Sequence, residues 1–148
     1  MSIGDEILAQ IETRVELRDT RLFIDEFRAC ERSSSGEVVP MDPAMAARHE
    51  TTSERLRHEL MGVLAPRLNL IESDSFLVGS QEGDVFERAA EAEATAVLLG
   101  EFLMDDDEVL VMVRVVELPG YLILAATEGV VPHGQRPSSM KHRSRRYE

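Results

Sequence analysis

The chain has 148 residues, enough for one domain with its own core, and 43% of them are hydrophobic. It carries a formal net charge of −12, a single Cys, no Trp, and only five Phe and two Tyr as aromatics. These figures exclude an internal disulfide framework, a stacking platform for sugars or bases, and a body that attracts nucleic acid or anionic lipid.

The charge is uneven. Residues 136–148 hold five of the 16 Lys and Arg and one of the 28 acids, which leaves 11 bases against 27 acids, net −16, in the rest. No stretch approaches the roughly 20 apolar residues that span a bilayer. The start, MSIGDE, has no basic region leading into an apolar one, so read literally it predicts a cytoplasmic chain without a secretion signal.

Residues 3–18 read as a helix. Ile3, Ile7, Ile11 and Val15 recur every four positions and Leu8 joins their stripe, while Ser2 can cap the start. Residues 20–30, TRLFIDEFRAC, read as a strand whose alternation is imperfect. Residues 31–50 contain SSSG, Pro40 and Pro43 and read as a long loop, with a short helical turn near Met41 and Met45. A loop of that length is a candidate contact surface.

Residues 51–64 form the next expected helix. Thr51 and Glu54 have capping-box spacing, Leu56, Leu60, Met61 and Leu64 form the apolar face, and Pro66 ends it. LNLIE, residues 68–72, is a short strand. Residues 73–83 read as a polar loop, and 84–93 as an Ala-rich helix capped by Asp84 with Val85, Phe86, Ala89 and Ala90 inward.

Three apolar, β-branched runs close the body, at about 94–104, 108–117 and 121–131. An acidic turn and the Pro119–Gly120 pair separate them, which is the signature of an antiparallel meander. The tail after Pro132 is polar and basic and is expected to be disordered. The element order predicts an α/β (α+β) fold: a mixed sheet ending in an antiparallel three-strand meander, packed by about three helices. A single domain over residues 1–132 and a tail at 133–148 complete the organisation.

The closing strands resemble a known pattern. Ala94, Thr95, Ala96, Val97, Leu98, Leu99 and Gly100 match the first of the closing strands in FlgO-type domains. Val113, Arg114, Val115 and Val116, then Gly120, Leu124, Ala125 and Ala126, and finally Val131 and Pro132 match the two later strands and their turn. The resemblance spans roughly residues 3–132 and extends in shape to curli-secretion, lipoprotein-activator and TolB amino-terminal modules. It implies a non-enzymatic, protein-binding module of the bacterial cell envelope, linked to the outer membrane and flagellar motility. The alternative is a cytoplasmic protein that binds a small ligand or a regulatory partner through the same sheet.

No residue pattern supplies a reaction. Asp105, Asp106, Asp107 and Glu108 lack the alternate spacing of a calcium loop and read as a solvated turn. His49, His58, His133 and His142 lack zinc-ligand spacing, and Cys30 reads as a small buried thiol. The glycines at 79 and 83 have no Lys-Ser/Thr for phosphate. Neither metal nor cofactor is expected. The candidate site is Glu101 with Arg114. A lone cation in an apolar strand requires a partner, and a hairpin turning at Asp106 and Asp107 sets Glu101 opposite Met112, diagonal to Arg114. The two form either a structural ion pair or the polar floor of a groove. The partners expected are therefore protein, with room for a homo-oligomer. Nucleic acid is excluded by the acidic body, and the tail allows only weak anionic contacts.

Overall fold

A computed structural model describes residues 2–72, 82–104, 108–132 and 141–142. The elements are α1 (Ile3–Glu12), β1 (Arg21–Ile24), β2 (Arg28–Arg32), β3 (Val38–Pro40), α2 (Pro43–Ala46), α3 (Glu50–Leu64), β4 (Asn69–Glu72), α4 (Glu82–Glu91), β5 (Ala96–Met104), β6 (Glu108–Glu117), β7 (Ile123–Pro132) and β8 (Lys141–His142). All eight strands belong to one mixed sheet in the order β3-β2-β5-β6-β7-β8, with β1 beside β5 and β4 beside β1. The β1–β4, β1–β5 and β2–β5 pairs are parallel, and the rest are antiparallel. The expected α+β fold and its closing meander, β5-β6-β7, are both present.

Helices lie on both faces. α1 and α3 pack on one face against Leu22, Ile24, Leu98, Phe102 and the odd-numbered residues of β6 from Val109 to Val115. α4 sets Val85 and Ala89 against Phe23, Val97, Leu99 and Val116 on the other. This double coverage explains why β1 and β5 read as unbroken apolar runs while β6 alternates. In β6, Val109, Val111, Val113 and Val115 are buried, Leu110 and Met112 are half-buried, and Arg114 is exposed.

Two glycines set close approaches. A Cβ on Gly4 would lie 2.5 Å from Val63 Cγ1, so α1 meets α3 at that point. A Cβ on Gly100 would lie 2.7 Å from the Phe27 ring, which lies against the backbone of β5. We expect Gly100→Ala to lower stability by about 1–3 kcal/mol in urea melts through overpacking, and Phe27→Leu to recover part of the loss. Additive losses would mean that the ring does not set the constraint.

Several local expectations need correction. The first helix stops at Glu12: Thr13 donates through its side chain to the Gln10 carbonyl at 2.7 Å, and the chain then turns through a 3-10 segment, Leu17–Asp19. Residues 20–30 are two strands. Ile24 stands opposite Leu98 and Arg28 opposite Glu101, so Asp25, Glu26 and Phe27 face only Leu99 and Gly100. That is a bulge of one extra residue.

The long loop is ordered. Gly36, at φ +90°, turns β2 into β3, and Asp42 caps α2 by accepting from the N–H groups of Ala44 and Met45 at 2.9 and 3.2 Å. A 3-10 turn, Ala47–His49, runs straight into α3, so α3 begins at Glu50 and Thr51 lies in its first turn. The expected capping box does not form, because the residue before the helix is not extended: His49 has φ −113° and ψ 19°. α4 begins at Glu82, which places Asp84 inside the helix. The loop at 73–81, the acidic residues 105–107 and most of the basic tail lie outside the described residues. Within the tail, β8 pairs with Gly129 and Val130 of β7.

Candidate functional site

The bulge collects the buried charges. Asp25 is buried, and its Oδ2 lies 3.5 Å from Arg88 Nη2 of α4. The Arg88 guanidinium also sits 5.9 Å from the centre of the Phe23 ring. From the opposite face, Ser53 of α3 donates to the Phe27 carbonyl at 2.7 Å, and Arg57 is buried beside it on the same helix. The extra residue thus breaks the strand where both helical layers can reach it. Burial raises the Glu26 carboxyl above its ordinary pKa of 4.5, and Asp25 adds to the rise. Arg57 and Arg88 offset part of it, and Glu50 contributes further.

A raised folded pKa makes Glu26 a stability liability once it ionises. The unfolded chain then releases the proton more readily than the native one. We expect Glu26→Gln to raise the Tm at pH 7. The advantage should shrink as pH falls through the folded pKa and vanish below the ordinary 4.5. A gain independent of pH would point to something other than the carboxylate.

Glu101 and Arg114 stand where the sequence register sets them. Glu101 pairs with Met112 and Arg114 with Leu99, so they are diagonal on one face. The premise of a buried cation needs correction. Arg114 is exposed, so no large burial penalty has to be offset. Arg28, opposite Glu101 in β2, brings a second cation to the same part of the sheet, with its Nη2 buried and lacking a hydrogen-bond partner among the described residues. We expect a double-mutant cycle of Glu101→Gln and Arg114→Met to give a coupling of about 0.2–1 kcal/mol, the range of exposed pairs. Additivity within about 0.3 kcal/mol would remove the pair.

Cys30 is buried in β2. Burial first, and the Glu101 carboxylate second, push its thiol up to about 11, so it stays protonated and is a poor nucleophile. His58 is exposed on α3, in keeping with its position off the apolar stripe. Among the described residues no group of three His, Cys, Asp or Glu converges as a metal site.

A second region lies at the opposite end of β6. Tyr121 and Leu122, in the turn between β6 and β7, and Ile123, the first residue of β7, are 60%, 59% and 54% exposed, the largest exposures of large apolar side chains among the described residues. The turn is tied down from within. Glu117 N–H donates to the Leu122 carbonyl and Tyr121 N–H to the Glu117 carbonyl, both at 2.7 Å. Tyr121 adopts φ +61°, a left-handed conformation that a non-glycine residue holds only under local constraint, and its ring meets Phe86 of α4 edge-on at 5.2 Å. Beside the turn is a cavity of about 440 Å³, lined by Val15, Glu16, Asp19, Glu117, Leu118 and Leu124 among others. The apolar pattern alone places residues 121–123 in the last strand; β7 begins at Ile123, so Tyr121 and Leu122 are still in the turn. The adjacent Pro119 and Gly120 are the signal that the chain is still turning there.

No protein-family model and no curated protein matches the chain. Among solved structures it is similar to the LpoB C-terminal domain from Salmonella enterica, with a TM-score of 0.58 and 11% identity over 88% of this chain and 95% of that one. The corresponding domain from Escherichia coli gives 0.57 and 10% over the same shares. The NMR structure of E. coli LpoB gives 0.54 and 13%, covering 89% of this chain and 66% of that one. No helix among the described residues is long and apolar enough to cross a membrane. At these identities the likeness is one of fold, and this chain shares the fold of the LpoB C-terminal domain.

Proposed function

We propose that the chain is a non-enzymatic protein-interaction module of the cell envelope, docking through the turn between β6 and β7. The exposed trio Tyr121, Leu122 and Ile123 carries the reading. Three neighbouring apolar side chains, each more than half exposed at a hydrogen-bonded turn and the first residue of β7, form a contact surface. The fold shared with the LpoB C-terminal domain supports it. Val38 of β3 and Met45 of α2, at 41% and 38% exposure, extend a lesser contact surface into residues 31–50. As a docking edge β3 is poor, being three residues long and ending in Pro40. The finer assignment, a FlgO-type part in flagellar motility, rests on the residue pattern of the closing strands.

The test is a photo-crosslinking residue at Leu122 in the full chain, expressed in its native cells, with the same residue at exposed Glu54 as control. A defined protein adduct from Leu122 alone, recovered with envelope membranes, is expected. Equal labelling from both positions would remove the docking reading. Recovery with the soluble fraction would favour the cytoplasmic ligand-binding alternative, for which the cavity of about 440 Å³ is the specific observation. Unchanged swimming of a deletion strain in soft agar would remove the flagellar assignment.

A further inference from the structure

β7 has β6 along one side. On its other side the strand seen among the described residues is β8, which reaches only Gly129 and Val130. Over residues 123–128 no described strand pairs with that side. Such an edge offers backbone N–H and C=O groups to an extended chain. One position on it is filled by a side chain. The Gln10 amide of α1 accepts from the Ala126 N–H through Oε1 at 2.9 Å and donates through Nε2 to the Ala126 carbonyl at 3.2 Å. A residue of a neighbouring antiparallel strand makes the same two bonds. Both Ala126 groups therefore point away from β6. By the alternation of the ladder, the backbone groups of Glu128 and Val130 point the same way, and Val130 is the residue that stands opposite Lys141 of β8.

We propose that the edge of β7 over residues 123–128 takes an extended basic segment of a partner protein as an added antiparallel strand, which displaces Gln10 from Ala126. This goes beyond the docking reading above, since the contacts are backbone groups of β7 and not the side chains of the turn. Three observations select the occupant. β8 already sits on this edge, antiparallel, and its two residues are Lys141 and His142. A residue added opposite Glu128 would lie beside that carboxylate, where an opposite charge is favoured. Gln10 Nε2 also donates to Glu6 Oε2 at 3.1 Å, which brings a second carboxylate to the filled position. Arg114, opposite Ala126, lies one strand further in, on β6. In the free chain Gln10 closes the edge against pairing with other copies. A partner strand would restore the two bonds it displaces and add those of the flanking residues.

The probe is a short fluorescent peptide alternating Lys and Val, measured by anisotropy against the full chain at physiological salt. Its controls are a Glu-Val version and a Lys-Val version N-methylated at alternate residues, which keeps the charge and removes backbone donors. The parent chain is expected to bind the Lys-Val peptide at least about tenfold more tightly than either control, since several backbone bonds are at stake. Gln10→Ala should tighten binding by roughly threefold or more, because the edge no longer has to be cleared. Ala126→Pro should weaken it by about tenfold, and this change spares the β6–β7 ladder because the Ala126 N–H points to Gln10. Glu6→Gln with Glu128→Gln should also weaken it, and Glu54→Gln with Glu87→Gln, a charge-matched control, should not. Circular dichroism melts check that each variant folds, and the N-methylated peptide tests the same bonds without altering the protein. Equal binding of the N-methylated peptide would mean attraction by net charge and would overturn the proposal. So would unchanged or weaker binding by Gln10→Ala, which would leave Gln10 a structural tie alone. Equal losses in the two paired Glu variants would reject the basic partner.

Discussion

Replacing Arg88 with Met is expected to destabilise the fold by roughly 3–5 kcal/mol, seen as a fall in the urea midpoint at constant slope. The pair with Asp25 is buried, with the Arg88 and Asp25 side chains 18% and 8% exposed, so solvent screens little of it. Removing the guanidinium leaves the Asp25 carboxylate inside the bulge without that partner. It also removes the cation from the Phe23 ring, which adds about 0.5–2 kcal/mol of the same sign. Replacing both members, Asp25→Leu with Arg88→Met, should cost much less than Arg88→Met alone, because neither charge is then stranded. A loss below about 1 kcal/mol for the single change would place the pair with ordinary surface bridges. The bulge would then be held by Ser53 and Phe27 instead.

The second large effect is expected at Leu60. Leu60→Ala should cost about 2–5 kcal/mol, as a truncation at a site 1% exposed. Its Cδ1 lies 3.4 Å from where a Cβ on Gly4 would be, so the cavity would open at the contact between α1 and α3. Both helices are held close there by the missing side chain of Gly4, which limits how far they can collapse into the space. Thr51→Ala is the control on the same helix. Thr51 is exposed within the first turn and does not cap α3, so its change should stay within about 0.5 kcal/mol. If urea melts ranked Thr51→Ala as the costlier change, the assigned apolar face of α3 would be wrong.

The meander is legible in the sequence because its signals are local. β-branched runs of nine or ten residues with turn residues between them specify strand and hairpin from neighbours in the chain alone. The same holds for α1 and α3, whose apolar stripes repeat at helical spacing, and for the register of Glu101 against Met112, which comes from the length of the turn. Helix starts are less legible. The sequence TTSE satisfies a capping box on paper, yet α3 begins one residue earlier because a preceding 3-10 turn delivers a helical backbone.

Local pattern therefore suffices for the order and type of the main elements and for the mixed sheet they build. The remaining features depend on packing between distant segments. The bulge exists because β1 and β2 share one edge of β5, and nothing within residues 20–30 states that their partner offers two residues to their three. Asp25 meets Arg88 across 63 positions of chain, and Arg114 proves exposed because α4 covers only one end of its face. Tyr121, Leu122 and Ile123 read as core by composition. Tyr121 and Leu122 are exposed where the chain is still turning and Ile123 where β7 begins, and burial is decided by what packs from elsewhere, which no local pattern encodes.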